Sequence, residues 1–404
     1  MKRKLEKSIK VYYARAVYGD AEIRAVNKFL RSGANLAGGE HTRSFESSVA
    51  GIFGKKYGVM VNSGSSANLV AVELLNLPPG SEVITPVLTF GTTLAPLMQK
   101  GLVPVFADVE EGTYLIDISH VEKLITKNTK ALMIPSLMGN IPDMERLKNI
   151  AKKHKLYFIE DSCDTLGATF KGKLTGSYSD ISTTSFYASH IITTGGCGGM
   201  VMMNKPEWYD KARMFRGWGR TSSVFAESED MEKRFSVKLG KLPYDAKFIF
   251  KEVGYNFIPQ ESGAVFGLEQ LKKLAKFSKI RKNNFSELYN FFSNFPQFFI
   301  LPRQTPESET NWLAFPLTIR KGAPFNRLKL VKYLEENGIQ TRPIFTGNVL
   351  KQPAFASIKH RGMGQYPAAE AVMERAFVIG CHHGMDSGQV DYLEKTFSEF
   401  LKKY

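Results

Sequence analysis

The segment from Asn62 to Asn68 has the composition of a phosphate-binding turn. An apolar run ends at Val61, and the sequence Asn-Ser-Gly-Ser-Ser-Ala-Asn follows, with Gly64 and Ser65 at the start of a predicted helix. The first turn of a helix offers backbone N–H groups without intrahelical acceptors and the positive end of the helix dipole, so an anion binds there favourably. Ordinary helix caps have the same pattern, and this segment alone does not separate the two interpretations.

A pair of acidic residues follows another apolar run. Asp161 ends the sequence Phe-Ile-Glu-Asp, and Asp164 comes three residues later. The carboxyl ends of strands in a parallel sheet face the ligand crevice. A carboxylate at that place can keep a pyridine nitrogen protonated, which makes the ring an acceptor of electrons. A helix N-cap or a metal ligand would use the same residue types.

One histidine stands where a strand turns into a glycine-rich loop. The run from Thr184 to Gly199 contains Ser185, a Phe-Tyr pair, His190 and then Gly-Gly-Cys-Gly-Gly. A single histidine is usually structural, but this one lies where the backbone bends, and an imidazole can transfer protons near neutral pH.

A sheet is needed to bring these segments together, and the apolar pattern predicts one. Short runs rich in β-branched residues indicate seven buried strands, and helix-length stretches separate several of them, which predicts an α/β fold with a largely parallel sheet. The predicted strands are Tyr57–Asn62, Glu82–Pro86, Val103–Asp108, Ala131–Ser136, Tyr157–Asp161, Ile181–Tyr187 and Met200–Asn204, and the helices between them are Ser66–Leu77, Asp117–Lys127 and Asp143–His154.

The pattern changes after about Gly254. Gly267–Leu288 has apolar residues at helical spacing and predicts one long helix, and Asp386–Lys403 predicts a C-terminal helix. We therefore expect a large domain over residues 1–275 and a smaller α+β domain over residues 276–404, with the boundary near Ala275.

The composition is typical of a globular enzyme, with 43% hydrophobic and 23% charged residues. The formal net charge is +15, but lysine and arginine are mixed with acids along the chain, and no basic arm or zinc-finger spacing indicates nucleic-acid binding. No apolar run is long enough to cross a bilayer, so no membrane partner is expected. Cys163, Cys197 and Cys381 are far apart, which favours a reducing cytoplasm over a disulfide framework.

The three segments in this order, with Gly254-Tyr255-Asn256 downstream, resemble the sugar aminotransferase family of pyridoxal phosphate fold type I over nearly the whole chain. The resemblance implies an aspartate aminotransferase-like large domain in three layers, with a mostly parallel seven-stranded sheet. It implies that Gly64, Ser65 and Ser185 bind the cofactor phosphate, that Phe90 stacks on the pyridine ring, that Asp161 pairs with the ring nitrogen, that Asp164 replaces a ring-contacting glutamine, and that Asn256 reaches the cofactor phosphate of the neighbouring subunit in a homodimer.

The sequence departs from that family at the lysine that binds the cofactor covalently. His190 stands in its place, and no lysine occurs between Lys173 and Lys205. In this respect the chain resembles a histidine-containing branch, the pyridoxamine phosphate-dependent nucleotide-sugar 3-dehydratases, as do the segments Thr341–Pro353 and Gly380–Gly384. An imidazole forms no stable Schiff base with the cofactor aldehyde, so we expect the cofactor to bind non-covalently.

The branch implies a reaction on a nucleotide-linked 4-keto-6-deoxy sugar. The amine of pyridoxamine 5′-phosphate condenses with the C4 ketone, a base removes a proton from the cofactor carbon C4′, and the C3 hydroxyl leaves. His190 suits the role of that base because histidine has an unperturbed pKa of about 6.5, against about 10.4 for lysine. Glutamate is the expected amino donor that restores the pyridoxamine form from pyridoxal 5′-phosphate.

Some members of this branch bind an iron–sulfur cluster through four cysteines. Cys163 matches one of those positions, but Thr221–Met231 contains no cysteine, and three cysteines cannot supply four thiolates within one chain. A dehydratase without cluster or other metal is therefore expected. Two alternatives remain open: a nucleotide-sugar aminotransferase with the same cofactor, and a non-catalytic protein that binds a cofactor or a sugar nucleotide.

Overall fold

Strands and helices alternate along most of the chain, as the apolar pattern predicts. The computed structural model describes residues 10–225 and 229–404. The strands in these residues are β1 (Tyr57–Val61), β2 (Glu82–Pro86), β3 (Val103–Ala107), β4 (Thr129–Pro135), β5 (Tyr157–Asp161), β6 (Thr169–Phe170), β7 (Lys173–Leu174), β8 (Ile181–Ser185), β9 (Gly199–Met203), β10 (Val237–Leu239), β11 (Leu242–Tyr244), β12 (Phe299–Ile300), β13 (Ser308–Glu309), β14 (Phe315–Ile319), β15 (Arg361–Gly362) and β16 (Ala376–Ile379). The helices are α1 (Asp20–Arg31), α2 (Glu40–Phe53), α3 (Gly64–Leu75), α4 (Gly91–Gln99), α5 (Ile118–Leu124), α6 (Met144–His154), α7 (Pro206–Arg216), α8 (Met231–Phe235), α9 (Glu261–Leu271), α10 (Leu274–Phe292), α11 (Arg327–Glu336), α12 (Pro367–Arg375) and α13 (Ser387–Leu401).

The large sheet contains all seven predicted strands. Its order is β1-β9-β8-β5-β4-β2-β3-β15, and β9 alone runs antiparallel to its neighbours. The prediction of a mostly parallel α/β sheet is confirmed, with ends that differ by a residue or two. The eighth strand, β15, was not predicted, because it is only two residues long and comes from the C-terminal part of the chain.

Alternation along the strands creates the three layers. In β4, Ala131 and Met133 belong to the apolar core on one face, whereas Leu132 and Ile134 belong to the core on the other face. Successive strand side chains point to opposite faces, and these runs are apolar on both, so helices cover the sheet on both sides. The layered architecture thereby holds the carboxyl ends of the central strands at one edge.

The prediction of a single helix over Gly267–Leu288 is wrong. The chain forms α9 and α10 with a break at Lys272 and Lys273, where no glycine or proline marks the turn. Tertiary packing explains the break. Helix α9 packs against α1 and α2, whereas α10 continues towards α13 and buries Leu288 and Phe292 in another part of the core.

The C-terminal part has its own antiparallel sheet, β12-β14-β16, with the predicted C-terminal helix present as α13. The proposed boundary at Ala275 lies in the first turn of α10 and stays a prediction. Residues 1–9 of the predicted large domain, and residues 226–228 within the cysteine-free segment Thr221–Met231, lie outside the described residues. Within the described ranges, no helix has the length and apolarity that crossing a membrane requires.

Candidate active site

The carboxyl ends of β4, β5 and β8 open into a cavity of about 510 Å³. Seven of the eight predicted site residues line it: Gly64, Ser65, Phe90, Asp161, Asp164, Ser185 and His190. Asn256 lies elsewhere on the subunit and is exposed. One chain therefore assembles the predicted cofactor site except for the residue that was assigned to a neighbour.

A close-packed cradle forms where α3 begins. Ser63 is the N-cap and accepts a hydrogen bond from the N–H of Ser66 (3.1 Å), so the helix starts two residues earlier than predicted. A Cβ atom on Gly64 would lie 2.7 Å from Cβ of Ser185, so no larger residue fits. The N–H groups of the first turn cannot be used within the helix. They face the cavity with the hydroxyls of Ser65 and Ser185, which is an arrangement that suits a phosphate.

Asp161 is a buried carboxylate held by neutral donors. Its Oδ2 accepts hydrogen bonds from Nδ2 of Asn68 (2.9 Å) and Oγ1 of Thr93 (2.7 Å), and its Oδ1 accepts one from the N–H of Cys163 (3.2 Å). Thr183 in turn donates to Oδ1 of Asn68 (2.6 Å), which fixes the amide orientation. All three donors are neutral, and among the described residues this carboxyl group has no cationic partner. It is thus free to pair with a cation in the cavity.

Asp164 is the second carboxyl group of the cavity, and its environment differs. It is buried, and its Oδ2 accepts one hydrogen bond, from the N–H of Met138 (2.9 Å). Burial raises the pKa of the Asp164 carboxyl to about 7; the Met138 hydrogen bond opposes this rise and the nearby Asp161 adds to it. Asp164 is therefore partly protonated near neutral pH.

We expect the Asp164→Asn variant to be more stable than the wild type at about pH 8 but not at about pH 5. Asp164 keeps its proton up to about pH 7 when folded and loses it near pH 4 when unfolded. The stability from this group is therefore complete below pH 4 and is lost as the pH rises through 7. At pH values above 7, the free energy of unfolding of the wild type is lowered by at most about 4 kcal/mol through this group, and Asp164→Asn avoids that loss. Urea unfolding of the cofactor-free protein at the two pH values measures it, and an equal difference at both would contradict the account.

His190 lies beside the cradle with an unused ring nitrogen. Its Nδ1 is buried and has no hydrogen-bond partner in the described part of the chain. Burial lowers the pKa of the His190 imidazole to about 4. The backbone of Ser185 and the charge of Asp161 oppose this lowering, and the positive charge of Arg281 adds a smaller contribution to it. The imidazole is therefore neutral over the whole physiological pH range. The unperturbed histidine pKa of about 6.5 would leave it only partly neutral there. An anion bound in the cavity would favour protonation and so strengthen the base.

Lysine is absent from the cavity lining within the described residues. The predicted absence of a nearby lysine thus extends from the sequence neighbourhood of His190 to its surroundings in space. The half-exposed ring of Phe90 forms part of the lining, 5.5 Å from the ring of Phe345. An aromatic face at this place can cover a flat ring.

Most of the other lining residues were not predicted as site residues, and four of them show why. Tyr13, Met138, Arg342 and Phe345 come from distant parts of the sequence. The guanidinium of Arg342 lies 4.9 Å from the ring centroid of Tyr13, so residues from the two ends of the chain meet in the lining. The branch-like segment Thr341–Pro353 was a signal for Arg342 and Phe345, whereas nothing in the sequence indicated Tyr13 or Met138.

The three cysteines do not form a metal site among the residues that the structure describes. Cys163 and Cys197 line the cavity and Cys381 is buried behind it. No group of three or more His, Cys, Asp or Glu side chains is placed to hold a metal ion in these residues. The absence of an iron–sulfur cluster stays a prediction.

The chain is similar to known proteins over most of its length. Residues 17–398 match the model of the DegT/DnrJ/EryC1/StrS aminotransferase family. The lipopolysaccharide biosynthesis protein RfbH of Salmonella typhimurium is 38% identical over 91% of this chain and 86% of its own. The structure of the E. coli GDP-4-keto-6-deoxy-D-mannose-3-dehydratase with bound hydrated PLP has a TM-score of 0.87 and 31% identity, covering 96% of this chain and 99% of that one. A structure of a GDP-4-keto-6-deoxymannose-3-dehydratase with a trapped PLP-glutamate geminal diamine has a TM-score of 0.86 and 30% identity, covering 95% and 99%. The predicted family and its fold are confirmed: the chain belongs to the DegT/DnrJ/EryC1/StrS aminotransferase family.

Proposed function

We propose that this protein is a pyridoxamine phosphate-dependent 3-dehydratase that removes the C3 hydroxyl of a nucleotide-linked 4-keto-6-deoxy sugar. The observation that carries the proposal is His190 in a cavity that no lysine lines among the described residues. The relatives named as 3-dehydratases support it, and the similarity to RfbH supports a place in the biosynthesis of a surface polysaccharide.

The cavity fits pyridoxal or pyridoxamine 5′-phosphate on three grounds. The α3 cradle, which a Cβ on Gly64 would fill, suits the phosphate. The buried carboxylate of Asp161 suits a protonated ring nitrogen, and the ring of Phe90 suits the face of the pyridine. When bound, the cofactor supplies an amine for the sugar ketone and a ring that accepts an electron pair.

Three residues of this chain divide the remaining work. Asp161 holds the proton on the pyridine nitrogen, and Asn68 and Thr93 keep the carboxylate in place. His190 removes the proton from the cofactor carbon C4′ through its unused ring nitrogen. Asp164, partly protonated at neutral pH, provides a hydrogen-bond donor on the same side as Asp161.

The test of the proposal is the product. The protein, pyridoxamine phosphate and glutamate are incubated with a panel of 4-keto-6-deoxy sugar nucleotides, and the products are analysed by mass spectrometry. A 3-dehydratase gives a sugar that has lost one oxygen atom and gained no nitrogen. An aminotransferase, the alternative function, gives an amino sugar that keeps its C3 oxygen; that product from every substrate would exclude dehydration.

We expect no lysine of the purified protein to carry the cofactor. Borohydride reduction of the loaded protein, followed by peptide mapping, should find no pyridoxyl group on any lysine, because none lines the cavity in the described residues. A lysine-containing aminotransferase of the same family is the positive control. A stoichiometric pyridoxyl-lysine peptide would contradict non-covalent binding.

The active form is proposed to be a homodimer in which Asn256 completes the site of the neighbouring subunit. Asn256 is exposed in the single chain and away from the cavity. The segment before it exposes several large apolar side chains, which is typical of an interface: Leu239, Leu242, Phe248, Phe250 and Val253.

Mixing two inactive variants tests this arrangement. The His190→Asn and Asn256→Asp variants should each be nearly inactive, since the second places a negative charge against the phosphate of the neighbour. After co-expression, a mixed dimer has one site with both changes and one with neither, so about a quarter of the wild-type activity should return. A fully active monomer in sedimentation at assay concentration, or no recovery in purified mixed dimers, would rule the shared site out.

Three finer assignments belong to the same proposal. Glutamate is the proposed amino donor, and the structure of a relative with a trapped PLP-glutamate geminal diamine supports it. Residues 1–275 are proposed as the cofactor-binding domain and residues 276–404 as the small domain. The cysteine pattern supports the cytoplasm as the location.

A further inference from the structure

Arg281 is a completely buried arginine without an acidic partner. It lies on α10, and its side chain is the largest of those that are fully buried in the described residues. Its Nε donates to Nδ1 of His383 (3.0 Å), and Nη1 donates to the carbonyl oxygens of Trp312 (3.0 Å) and Leu313 (3.1 Å). Its Nη2 has no partner within the described ranges. All its acceptors are neutral, so its charge is not compensated.

The guanidinium lies directly behind the wall of the active site. Leu313, whose carbonyl accepts from Arg281, lines the cavity together with His190. The N–H of Leu313 donates to the carbonyl of Met138 (2.9 Å), and the N–H of Met138 donates to Asp164. A Cβ on Gly139 would lie 2.7 Å from the carbonyl oxygen of Asn311, so this contact is tightly packed. One layer of residues separates the buried charge from the reacting groups.

An uncompensated buried charge is costly, and a structural role does not require it. Replacing a buried ionic group by apolar residues of similar volume is often neutral or stabilising. Hydrogen bonds to two carbonyl groups and one imidazole could come from a neutral side chain. The field of a charge in a low-dielectric interior, by contrast, extends across several ångströms into the cavity.

We propose that Arg281 is a positioning residue for the proton transfer, whose buried positive charge opposes protonation of His190 from behind the Leu313 wall. The proposal rests on the proposed role of His190 as the base. His190 also faces Asp161, whose negative charge acts in the opposite direction, and the cavity beside it is lined by the titratable groups of Cys163, Asp164 and Tyr187. Arg342 also lines the cavity, but it is exposed to solvent, so its charge is screened.

The titration of the histidines supports the direction of this effect. Burial lowers the pKa of His190 to about 4, the backbone of Ser185 opposes this lowering, and the charge of Arg281 adds to it. Burial and the same charge lower the pKa of His382 to about 3 and that of His383 to about 2. Burial also lowers the pKa of Arg281 to about 10, which leaves it protonated at neutral pH.

The test measures the protonation of His190 in variants that change the charge in two independent ways. Arg281→Met removes the charge, and Arg281→Lys keeps it while removing the planar fork. Cys381→Asp adds a counter-charge instead, because Sγ of Cys381 and Nη1 of Arg281 approach the same carbonyl oxygen of Trp312 (3.7 and 3.0 Å). Cys381→Ser is its matched neutral control. NMR of histidine-labelled, cofactor-free protein follows the seven histidines, and the His190→Asn spectrum identifies the resonance of His190.

We expect the His190 midpoint to rise by about one pH unit in Arg281→Met and in Cys381→Asp, and to stay in place in Arg281→Lys and Cys381→Ser. The acid limb of the kcat/KM profile of the loaded enzyme should move to higher pH by the same amount. If Arg281→Met does not fold, the Cys381→Asp variant provides the test. A rise in the titration midpoints of His382 and His383 in that variant shows that the introduced carboxylate is ionised. An unchanged His190 midpoint with the charge removed or compensated would overturn the proposal. The NMR result does not depend on turnover. The NMR experiment and the product assay can therefore fail independently, and the two failures are distinguishable.

Discussion

The His190→Asn variant should bind the cofactor and lose turnover by about 10²–10⁴-fold, which is the usual contribution of a positioned general base. Asparagine has a similar size and keeps a polar atom near the position of the unused Nδ1, but it cannot accept a proton at C4′. The cradle at α3 and the Asp161 network do not involve His190, so cofactor affinity should change little. Equilibrium binding and turnover on the same preparation measure both quantities.

The His190→Lys variant should redirect the chemistry rather than stop it. A lysine at this position ties up the cofactor aldehyde, and a flexible amine can carry the proton from C4′ to the sugar carbon, which is transamination. We expect a change in the cofactor absorbance, a borohydride-stable adduct and an amino sugar product.

If His190→Asn loses water from the substrate at the wild-type rate, another group is the base. The structure limits the candidates. His382 and His383 are buried outside the cavity lining, and His383 is occupied by Arg281 and by its stacking on Phe277. Tyr187 is exposed in the cavity, with its ring centroid 5.9 Å from that of His190. It would be the next residue to replace.

The Asp161→Asn variant should be the second most damaging change, with a loss in turnover of about 10²–10³-fold. An amide cannot hold a proton on the pyridine nitrogen, and a neutral ring accepts electrons poorly. Asn68 and Thr93 donate to the native carboxylate, so the amide group also loses part of its own hydrogen bonding.

Asp164→Asn is the matched control for this prediction. It removes a carboxyl group from the same cavity, but one whose pKa of about 7 leaves it partly neutral already. We expect its turnover to remain within about tenfold of the wild type at about pH 6, where an amide resembles the protonated acid. Equal losses in the two variants would contradict the division of roles between the carboxyl groups.

The large sheet was predictable from the sequence because its strands are apolar on both faces. Runs such as those of β2 and β3 are buried throughout and end at turn residues, so their existence did not depend on the rest of the chain. The break between α9 and α10 was not predictable. Its cause is the packing of the two helices against different partners, and no cap residue marks it in the sequence.

The residues of the site also include some that the sequence indicates and some that it does not. Gly64, Asp161 and Ser185 could be found because each lies at the end of a strand or the start of a helix, where a parallel sheet concentrates functional groups. His190 could be found because it lies in the glycine-rich loop that follows β8. Met138 and Tyr13 could not, since their contribution arises from long-range contacts. The lowered pKa of His190 was also hidden, because burial sets it, and burial is a property of the assembled cavity.

The fate of the donor nitrogen tests the central claim most directly. The wild type and His190→Lys are each supplied with the substrate found in the product screen and with 15N-labelled glutamate, and both ammonium and sugar are analysed for the label. Histidine in place of lysine predicts that the wild type releases the label as ammonium and forms a 3-deoxy sugar without it, whereas His190→Lys transfers the label to the sugar. Labelled amino sugar as the main product of the wild type would contradict the assignment as a dehydratase.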